Sequence, residues 1–165
     1  IKDRMAEALN KQLNLEYHAA YAYKAMQAYC NSTDMTGAAN WFAMQSNEEQ
    51  LHADKIFTYL LDQDRCPNFD VVAAASTSFS SLLDVFQTAL KQEQAVTKSI
   101  YGLIDIALEE KDHATSAFLQ WFVTEQVEEE ATVREIIERL KLAGDSPQAI
   151  LLIDRELGAR PTVEN

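Results

Sequence analysis

The sequence predicts an all-α fold: a four-helix bundle with a long crossover between its second and third helices and a short C-terminal fifth helix. Glycine and proline, which interrupt helices, number only 4 and 3 among 165 residues. Apolar residues recur at intervals of three and four along four long segments. A stretch of about 16 residues without a helical pattern separates these segments into two pairs. Residues 1–165 are expected to form one domain, since that length is enough for one sizeable core.

The first pair of helices is predicted at about residues 2–29 and, after a short polar link at 30–33, from a cap at Asp34 to about residue 64. Each helix has an inner stripe that steps by threes and fours along its length. The stripe of the first helix is Ala6, Leu9, Leu13, Glu16, Ala20, Tyr23 and Gln27, and that of the second is Ala38, Phe42, Gln45, Glu49, His52, Ile56 and Tyr59.

The crossover at residues 65–80 contains Pro67 and has no helical stripe. Ser81 and Asp84 resemble a capping box at the start of the third helix, which extends to about residue 109. Asp112 is predicted to cap the fourth helix. The stripes of these helices are Phe86, Leu90, Glu93, Thr97, Ile100, Ile104 and Ala107, and then Thr115, Leu119, Phe122, Gln126, Glu129, Val133, Ile136 and Leu140.

Gly144 follows the fourth helix, as expected just beyond a helix end. Ser146 as a cap and Pro147 in the first turn begin the fifth helix, which ends at Gly158. We expect the tail at residues 159–165 to be frayed.

The lengths of these segments determine the topology. Helices of about 30 residues are about 45 Å long, and the short links make each pair an antiparallel hairpin. The crossover, when extended, reaches roughly 50 Å. It can therefore run the length of the bundle, so that the third helix starts from the same end as the second.

The formal net charge of −12 argues against nucleic acid as a partner, because phosphate binding requires a basic surface. Cations suit this charge better, although acidity can also serve solubility alone. Cys30 and Cys66 form no C-x-x-C motif and are expected to be free thiols in a reducing cytoplasm. The sequence shows no signal peptide and no apolar run long enough to span a membrane. Since the chain begins at Ile1, a few preceding residues are expected.

Each long helix carries polar residues within its apolar stripe, close to its own midpoint. Antiparallel helices of equal length meet at their midpoints, so these residues are predicted to share one dry layer of the core. The layer consists of Glu16, Glu49, His52, Glu93, Gln126 and Glu129.

The negative charge of a layer of buried carboxylates must be compensated, because burying each unpaired charge costs on the order of 5 kcal/mol. Lys or Arg side chains could enter the layer, although no inner stripe supplies one. The carboxyls could instead remain protonated, or cations could lie among them. Cations account for all six residues together, whereas a role in fixing helix register suits single polar residues better.

Oxygen ligands with one imidazole suit iron or manganese better than a structural zinc site. Glu49 is placed to bridge two ions. Glu16 and His52 would complete the shell of one ion, and Glu93 and Glu129 would hold the other. Two ferrous ions that share a carboxylate could together pass two electrons to dioxygen.

A second acidic cluster adjoins this layer. Glu125, Glu128 and Glu129 lie along one helical face, and Glu48 could lean toward them. They form either a third, weaker cation site or a solvated acidic face. Tyr23, one heptad after Glu16, could donate a hydrogen bond to a metal-binding residue, supply an electron or simply pack in the core.

Several motifs resemble bacterial non-haem ferritin along essentially the whole chain. They are Asn14-Leu15-Glu16, Glu48-Glu49-Gln50-Leu51-His52, Gln92-Glu93-Gln94, Phe118-Leu119-Gln120-Trp121-Phe122, Glu125-Gln126-Val127-Glu128-Glu129-Glu130 and Ile153-Asp154-Arg155-Glu156-Leu157.

The resemblance implies a ferroxidase centre that oxidises Fe(II) with dioxygen or hydrogen peroxide. Its first iron site would comprise Glu16, Glu49 and His52, and its second Glu49, Glu93 and Glu129, with Gln126 nearby. It also implies a third iron site, a functional tyrosine, and a cage of 24 subunits that stores ferric mineral, with the fifth helix at its four-fold axes. The third site matches Glu48, Glu125, Glu128 and Glu129, and the tyrosine matches Tyr23.

The sequence departs from bacterioferritin, a related protein with a stable di-iron cofactor. Gln126 and Glu129 stand where that protein has a second Glu-x-x-His, and Gln50 stands where it has a haem-binding Met. We therefore expect no haem and a loosely held second iron that moves on after oxidation. The absent cysteine module disfavours a rubrerythrin-type peroxidase. A di-iron oxidoreductase that retains its metals, or a helical interaction module without redox chemistry, stays open as an alternative.

Overall fold

In a computed structural model, which describes residues 1–160, the chain forms an all-α bundle. The helices are α1 (Asp3–Ser32), α2 (Thr36–Asp62), α3 (Leu82–Glu110), α4 (His113–Ala143) and α5 (Pro147–Gly158). α1 packs along α2 and α3 packs along α4, while α5 lies mainly against α2. The predicted fold class, the long crossover and the fifth helix are confirmed. Within the described part of the chain, no helix combines the length and apolar character needed to cross a bilayer.

The crossover runs along α1 from one end of the bundle to the other. At its start, Arg65 donates a hydrogen bond to the backbone oxygen of Ile1 at 2.6 Å. Halfway, Asn14 Oδ1 accepts a backbone N–H from the crossover at 2.8 Å. Near its end, the ring of Phe79 packs edge-on against that of Tyr29, 5.2 Å between centroids. α3 therefore begins where α1 ends, as the length argument predicts.

Three predicted helix caps are confirmed. Their side-chain oxygens accept a hydrogen bond from the backbone N–H three residues later, which satisfies one of the unpaired donors of the first turn. They are Ser81, Asp112 and Ser146, at 3.1, 3.0 and 3.3 Å respectively. Gly144 ends α4 with φ of 53°, a backbone conformation that glycine adopts without strain.

The predicted link between the first two helices is wrong in its details. α1 continues to Ser32, so Cys30 is a buried helical residue rather than part of a polar turn. Asp34 does not cap α2, because it adopts the left-handed conformation at φ of 60° and the cap position falls on Met35. α2 also ends earlier than predicted, at Asp62.

The cap of α2 comes instead from the far end of the chain. Asp154 of α5 accepts hydrogen bonds from the backbone N–H groups of Ala38 and Gly37, at 2.8 and 3.2 Å. A carboxylate at a helix N-terminus is favoured by both hydrogen bonding and the helix dipole. Gly37 permits this approach, since a Cβ atom there would lie 1.7 Å from the backbone oxygen of Asp154. α5 is therefore fastened to the start of α2.

The core consists of two apolar clusters, one toward each end of the bundle. One contains Phe42, Phe86 and Val133, and the other contains Leu13 and Ile100. The polar layer lies between them. Cys30 and Cys66 are both free, as predicted, the first buried and the second exposed.

Candidate metal centre

The six residues of the predicted layer come together from all four long helices. Five of them are at most 3% exposed, so apolar packing excludes water from most of the layer. Glu129 is half-buried, because it lines a small pocket between α2 and α4 on this side of the bundle. The expectation of a fully dry layer is therefore wrong at Glu129. The five buried residues are Glu16, Glu49, His52, Glu93 and Gln126.

The ligand atoms of this layer form two groups that share one carboxylate. In each group, atoms from three residues lie within 4.8 Å of one another. The first group is Glu16, Glu49 and His52, and the second is Glu49, Glu93 and Glu129. A carboxylate with two free oxygens can bind two cations at once, and Glu49 occupies the shared position.

Buried atoms without a hydrogen-bond partner converge in the first group. They are Glu16 Oε2, both carboxylate oxygens of Glu49, and His52 Nδ1. His52 Nδ1 lies 3.3 Å from Glu49 Oε2 without forming a hydrogen bond. Unsatisfied buried polar atoms are costly and rare, so a cluster of them indicates a ligand that completes the site.

Burial strongly favours the protonated form of these carboxyls. It raises the pKa of Glu16 to about 7. Burial, with repulsion from neighbouring carboxylates, also holds the pKa of Glu49 and Glu129 well above the usual range. The pKa of Glu93 is raised by burial, even though its hydrogen bonds act in the opposite direction. Without a metal, protons thus offset part of the charge, and metal binding must displace them.

His52 is suited to bind a metal at neutral pH. Burial, with the nearby Lys55, lowers the pKa of its imidazole to about 4, so the ring is neutral and its nitrogen can donate electrons to a cation. Trp121 and Phe122 meet the ring edge-on at centroid distances of 5.3 and 6.0 Å. These aromatic contacts hold the imidazole in place and restrict water around it.

A second set of side chains orients the carboxylates. Gln12 donates a hydrogen bond to Glu16 Oε1 at 2.7 Å, and the hydroxyl of Tyr23 donates to Glu93 Oε1. Gln126 directs its amide N–H toward Glu93 Oε2, at 3.2 Å. Tyr23 and Gln126 therefore contact the site through Glu93 in this structure.

The predicted third cluster is only partly assembled. Glu48, Glu125, Glu128 and Glu129 line one small pocket of about 170 Å³. Atoms of Glu125 and Glu129 lie within 4.8 Å of each other and of His52. Among the described residues, however, Glu48 and Glu128 join no such group of three.

Three residues near the centre escaped the sequence reasoning. Gln12 lies one helical turn before Glu16, a spacing that could have revealed it. Gln45 was placed on the inner stripe but given no role, and its amide donates to Glu129 Oε2. Arg160 was assigned to a frayed tail, yet it donates a hydrogen bond to Glu48 at 2.6 Å. Residues 161–165, the rest of that tail, lie outside the described part of the chain.

Comparisons with known proteins agree with this arrangement of helices. Residues 6–143 match the model of the ferritin-like domain. The chain is 45% identical over 160 residues to a bacterial non-heme ferritin of Staphylococcus aureus, covering 97% of this chain and 96% of the relative. A bacterial non-heme ferritin of Staphylococcus haemolyticus is 44% identical over 94% of both chains.

Among solved structures, an open pore ferritin from the archaeon Archaeoglobus fulgidus superimposes with a TM-score of 0.96 at 40% identity, over 98% of this chain and 99% of that one. A humanized archaeal ferritin superimposes with a TM-score of 0.98 at 38% identity, over 99% of both chains.

Proposed function

Because this chain belongs to the ferritin family, we propose that it stores iron and is a ferroxidase that oxidises Fe(II) to Fe(III) in its central layer. The observation that carries this proposal is the pair of ligand groups that share Glu49, with unpaired buried atoms facing each other. Such a site holds two cations side by side in a cavity that excludes most water. The coverage of nearly the whole chain by non-heme ferritins supports the same conclusion.

In this proposal, Fe(II) is the substrate. One ion binds to Glu16, Glu49 and His52, and the other binds to Glu49, Glu93 and Glu129. Each Fe(II) loses one electron, and dioxygen takes up two electrons and two protons to become hydrogen peroxide. When hydrogen peroxide is the oxidant, it takes up two electrons and two protons and becomes two molecules of water. The carboxylates stabilise the added positive charge of the ferric products.

The side chains around the ligands keep the second site ready for iron. Tyr23 and Gln126 donate hydrogen bonds to Glu93, which hold its carboxylate in one orientation. No haem takes part in the proposed reaction.

Iron is proposed to leave the second site through the acidic pocket. Glu129 belongs to the second ligand group and also lines the pocket with Glu48, Glu125 and Glu128. Because Glu129 is half-buried, the second iron lies nearer to solvent than the first. This position supports oxidised iron in transit, with a third iron site in the pocket.

We propose that the chain assembles with copies of itself, as a 24-subunit cage, in the cytoplasm. Leu151 and Leu152 of α5 are 56% and 58% exposed, and Leu142 at the end of α4 is 89% exposed. Large apolar side chains that face water in the single chain are suited to a subunit interface. Native mass spectrometry distinguishes a cage of this size from a small oligomer.

The decisive experiment adds Fe(II) aerobically to metal-free protein and follows the initial rate of oxidation. Glu49→Ala and Glu49→Gln should each reduce this rate at least roughly 10-fold, since both iron sites lose a ligand. Glu135→Gln, an exposed position on α4, serves as the control and should match the native chain. Equal rates for the native chain and both Glu49 variants would contradict the proposed site.

Iron loading separates storage from the alternative of a permanent cofactor. A store takes up many more than two iron ions per subunit and passes oxidised iron onward. A di-iron oxidoreductase binds about two and retains them through repeated turnover. A centre that persists without iron release would reject the proposal that iron at the second site is in transit.

A further inference from the structure

Arg160, two residues beyond α5, lies in the wall of the acidic pocket. Its Nη2 donates a hydrogen bond to Glu48 Oε2 at 2.6 Å, and its Nη1 donates to Gln45 Oε1 at 3.0 Å. The guanidinium group also lies over the ring of Trp41, with 4.8 Å between the central carbon and the ring centroid. A contact with an aromatic face and two acceptors fixes the orientation of an arginine far better than a single surface ion pair does.

The position of Arg160 explains why Glu48 stands apart from the other ligand candidates. The Arg160 and Glu48 side chains are only 20% and 19% exposed, so solvent screens their attraction only partly. One oxygen of Glu48 is thereby occupied, while Glu125 and Glu129 converge with His52 without it. The chain itself thus places one positive charge among the four carboxylates of the pocket.

The same arginine reaches a ligand of the central layer through one amide. Gln45 accepts a hydrogen bond from Arg160 with its carbonyl oxygen and donates one from its amide nitrogen to Glu129. An amide has a carbonyl on one side and an N–H group on the other, so the bond to Arg160 determines which side faces Glu129. Gln45 is 1% exposed, which leaves it little room for another arrangement.

α5 holds Arg160 at this place. Asp154 fastens α5 to the start of α2, and Trp41, which lies beneath the guanidinium group, is four residues beyond Gly37 in the same helix. Arg139 of α4 also forms an ion pair with Glu156 of α5. The arginine therefore belongs to a docked segment with contacts to both α2 and α4.

We propose that Arg160 is a tethered cation of the acidic pocket, which competes with metal ions for Glu48 and positions Glu129 through Gln45. A metal ion that uses Glu48 must first break the Arg160–Glu48 ion pair. The arginine thus lowers the affinity of the pocket for cations and favours the onward release of iron. This inference rests on the proposed passage of iron through the pocket, but its binding test does not require iron oxidation.

The test measures binding of Tb³⁺, a cation without redox chemistry under these conditions, to the assembled metal-free protein. Trp41 lines the pocket and can sensitise Tb³⁺ luminescence. A Glu49→Gln background weakens binding at the central groups, so that the signal reports mainly the acidic pocket. In this background, Arg160→Gln should bind Tb³⁺ about two- to fivefold more tightly, as expected for loss of one partly exposed ion pair.

Three further variants test whether the gain in Tb³⁺ affinity comes from breaking the Arg160–Glu48 ion pair. Arg160→Lys keeps the charge and should bind Tb³⁺ less tightly than Arg160→Gln. Arg155→Gln removes the same charge from an exposed position of α5 and should leave the affinity unchanged. The gain from Arg160→Gln should disappear when Glu48→Gln is also present, because no carboxylate is then released. Native mass spectrometry is used to check that each variant assembles as the parent does.

Unchanged or weaker Tb³⁺ binding by assembled Arg160→Gln overturns the inference, as does an equal gain in the Glu48→Gln background. If either result accompanies Fe(II) oxidation that depends on Glu49, the proposed ferroxidase stands and only the role of Arg160 fails. If oxidation does not depend on Glu49 but the predicted Tb³⁺ pattern appears, the role of Arg160 as a competing cation stands and the proposed ferroxidase fails.

Discussion

Replacing Glu16 with glutamine should stabilise the metal-free protein at pH 8 and have much less effect at pH 5. The folded-state pKa of Glu16 is raised from 4.5 to about 7, chiefly by burial. A raised carboxyl pKa contributes stability that is fully present below 4.5 and is lost as the pH rises through about 7. The shift corresponds to about 3 kcal/mol, most of which is lost between pH 5 and pH 8.

Glutamine retains the shape of the side chain and a carbonyl oxygen that can accept the hydrogen bond from Gln12. The assay is urea unfolding in the presence of a chelator, at pH 5 and pH 8 and at one protein concentration. The difference in unfolding free energy between Glu16→Gln and the native chain isolates the contribution of Glu16. Glu135→Gln, at an exposed position, is the control. The difference in unfolding free energy between this variant and the native chain should be almost the same at pH 5 and pH 8.

The reasoning fails if Glu16→Gln is less stable than the native chain at pH 8, or if the difference between them is the same at both pH values. Zn²⁺ provides a second check, because it should favour the stability of the native chain over that of Glu16→Gln. This effect is expected because the variant lacks one ligand of the first group.

Three further predictions concern the packing of α5 on α2, the hydrogen bond of Tyr23 and the protonation of Glu16. Gly37→Ala should lower the free energy of unfolding by about 1–3 kcal/mol, because its Cβ meets the backbone of Asp154; urea unfolding that matches the native chain would contradict this packing. Tyr23→Phe removes the hydrogen-bond donor to Glu93. Calorimetry should show Zn²⁺ binding at the second site weakened about 10-fold. An unchanged affinity would mean that Tyr23 does not position Glu93. Zn²⁺ affinity at the first site should fall from pH 8 to pH 6 as Glu16, with a pKa of about 7, regains its proton, and a constant affinity would argue against this competition.

Helical spacing alone predicted that the residues of the central layer lie on the inner faces of their helices, whichever way the helices are joined. Glu49 and His52 are three residues apart and share a face in any α-helix. The length of the helices and crossover then determined which midpoints meet. Burial of Glu16 and Glu93 at 0% exposure agrees with this reasoning, which needed no knowledge of individual contacts.

Contacts between distant parts of the chain were beyond the reach of the same reasoning. Asp154 caps α2 from a position 117 residues away, and Arg160 pairs with Glu48 across 112 residues. Neither pairing has a periodic signal, since each depends on how α5 docks. The local candidate for the cap, Asp34, was therefore chosen wrongly. The docked position of Arg160 was missed for the same reason, because nothing in the sequence near Arg160 points to Glu48 as its partner.

The most direct test of the central claim is anomalous diffraction from crystals of the assembled protein soaked with Fe(II) without oxygen. Two iron peaks are predicted in each subunit, one among Glu16, Glu49 and His52, and the other among Glu49, Glu93 and Glu129, with Glu49 bound to both. Absence of iron from the central layer, or a single ion that leaves Glu49 without a bridging role, would contradict the account.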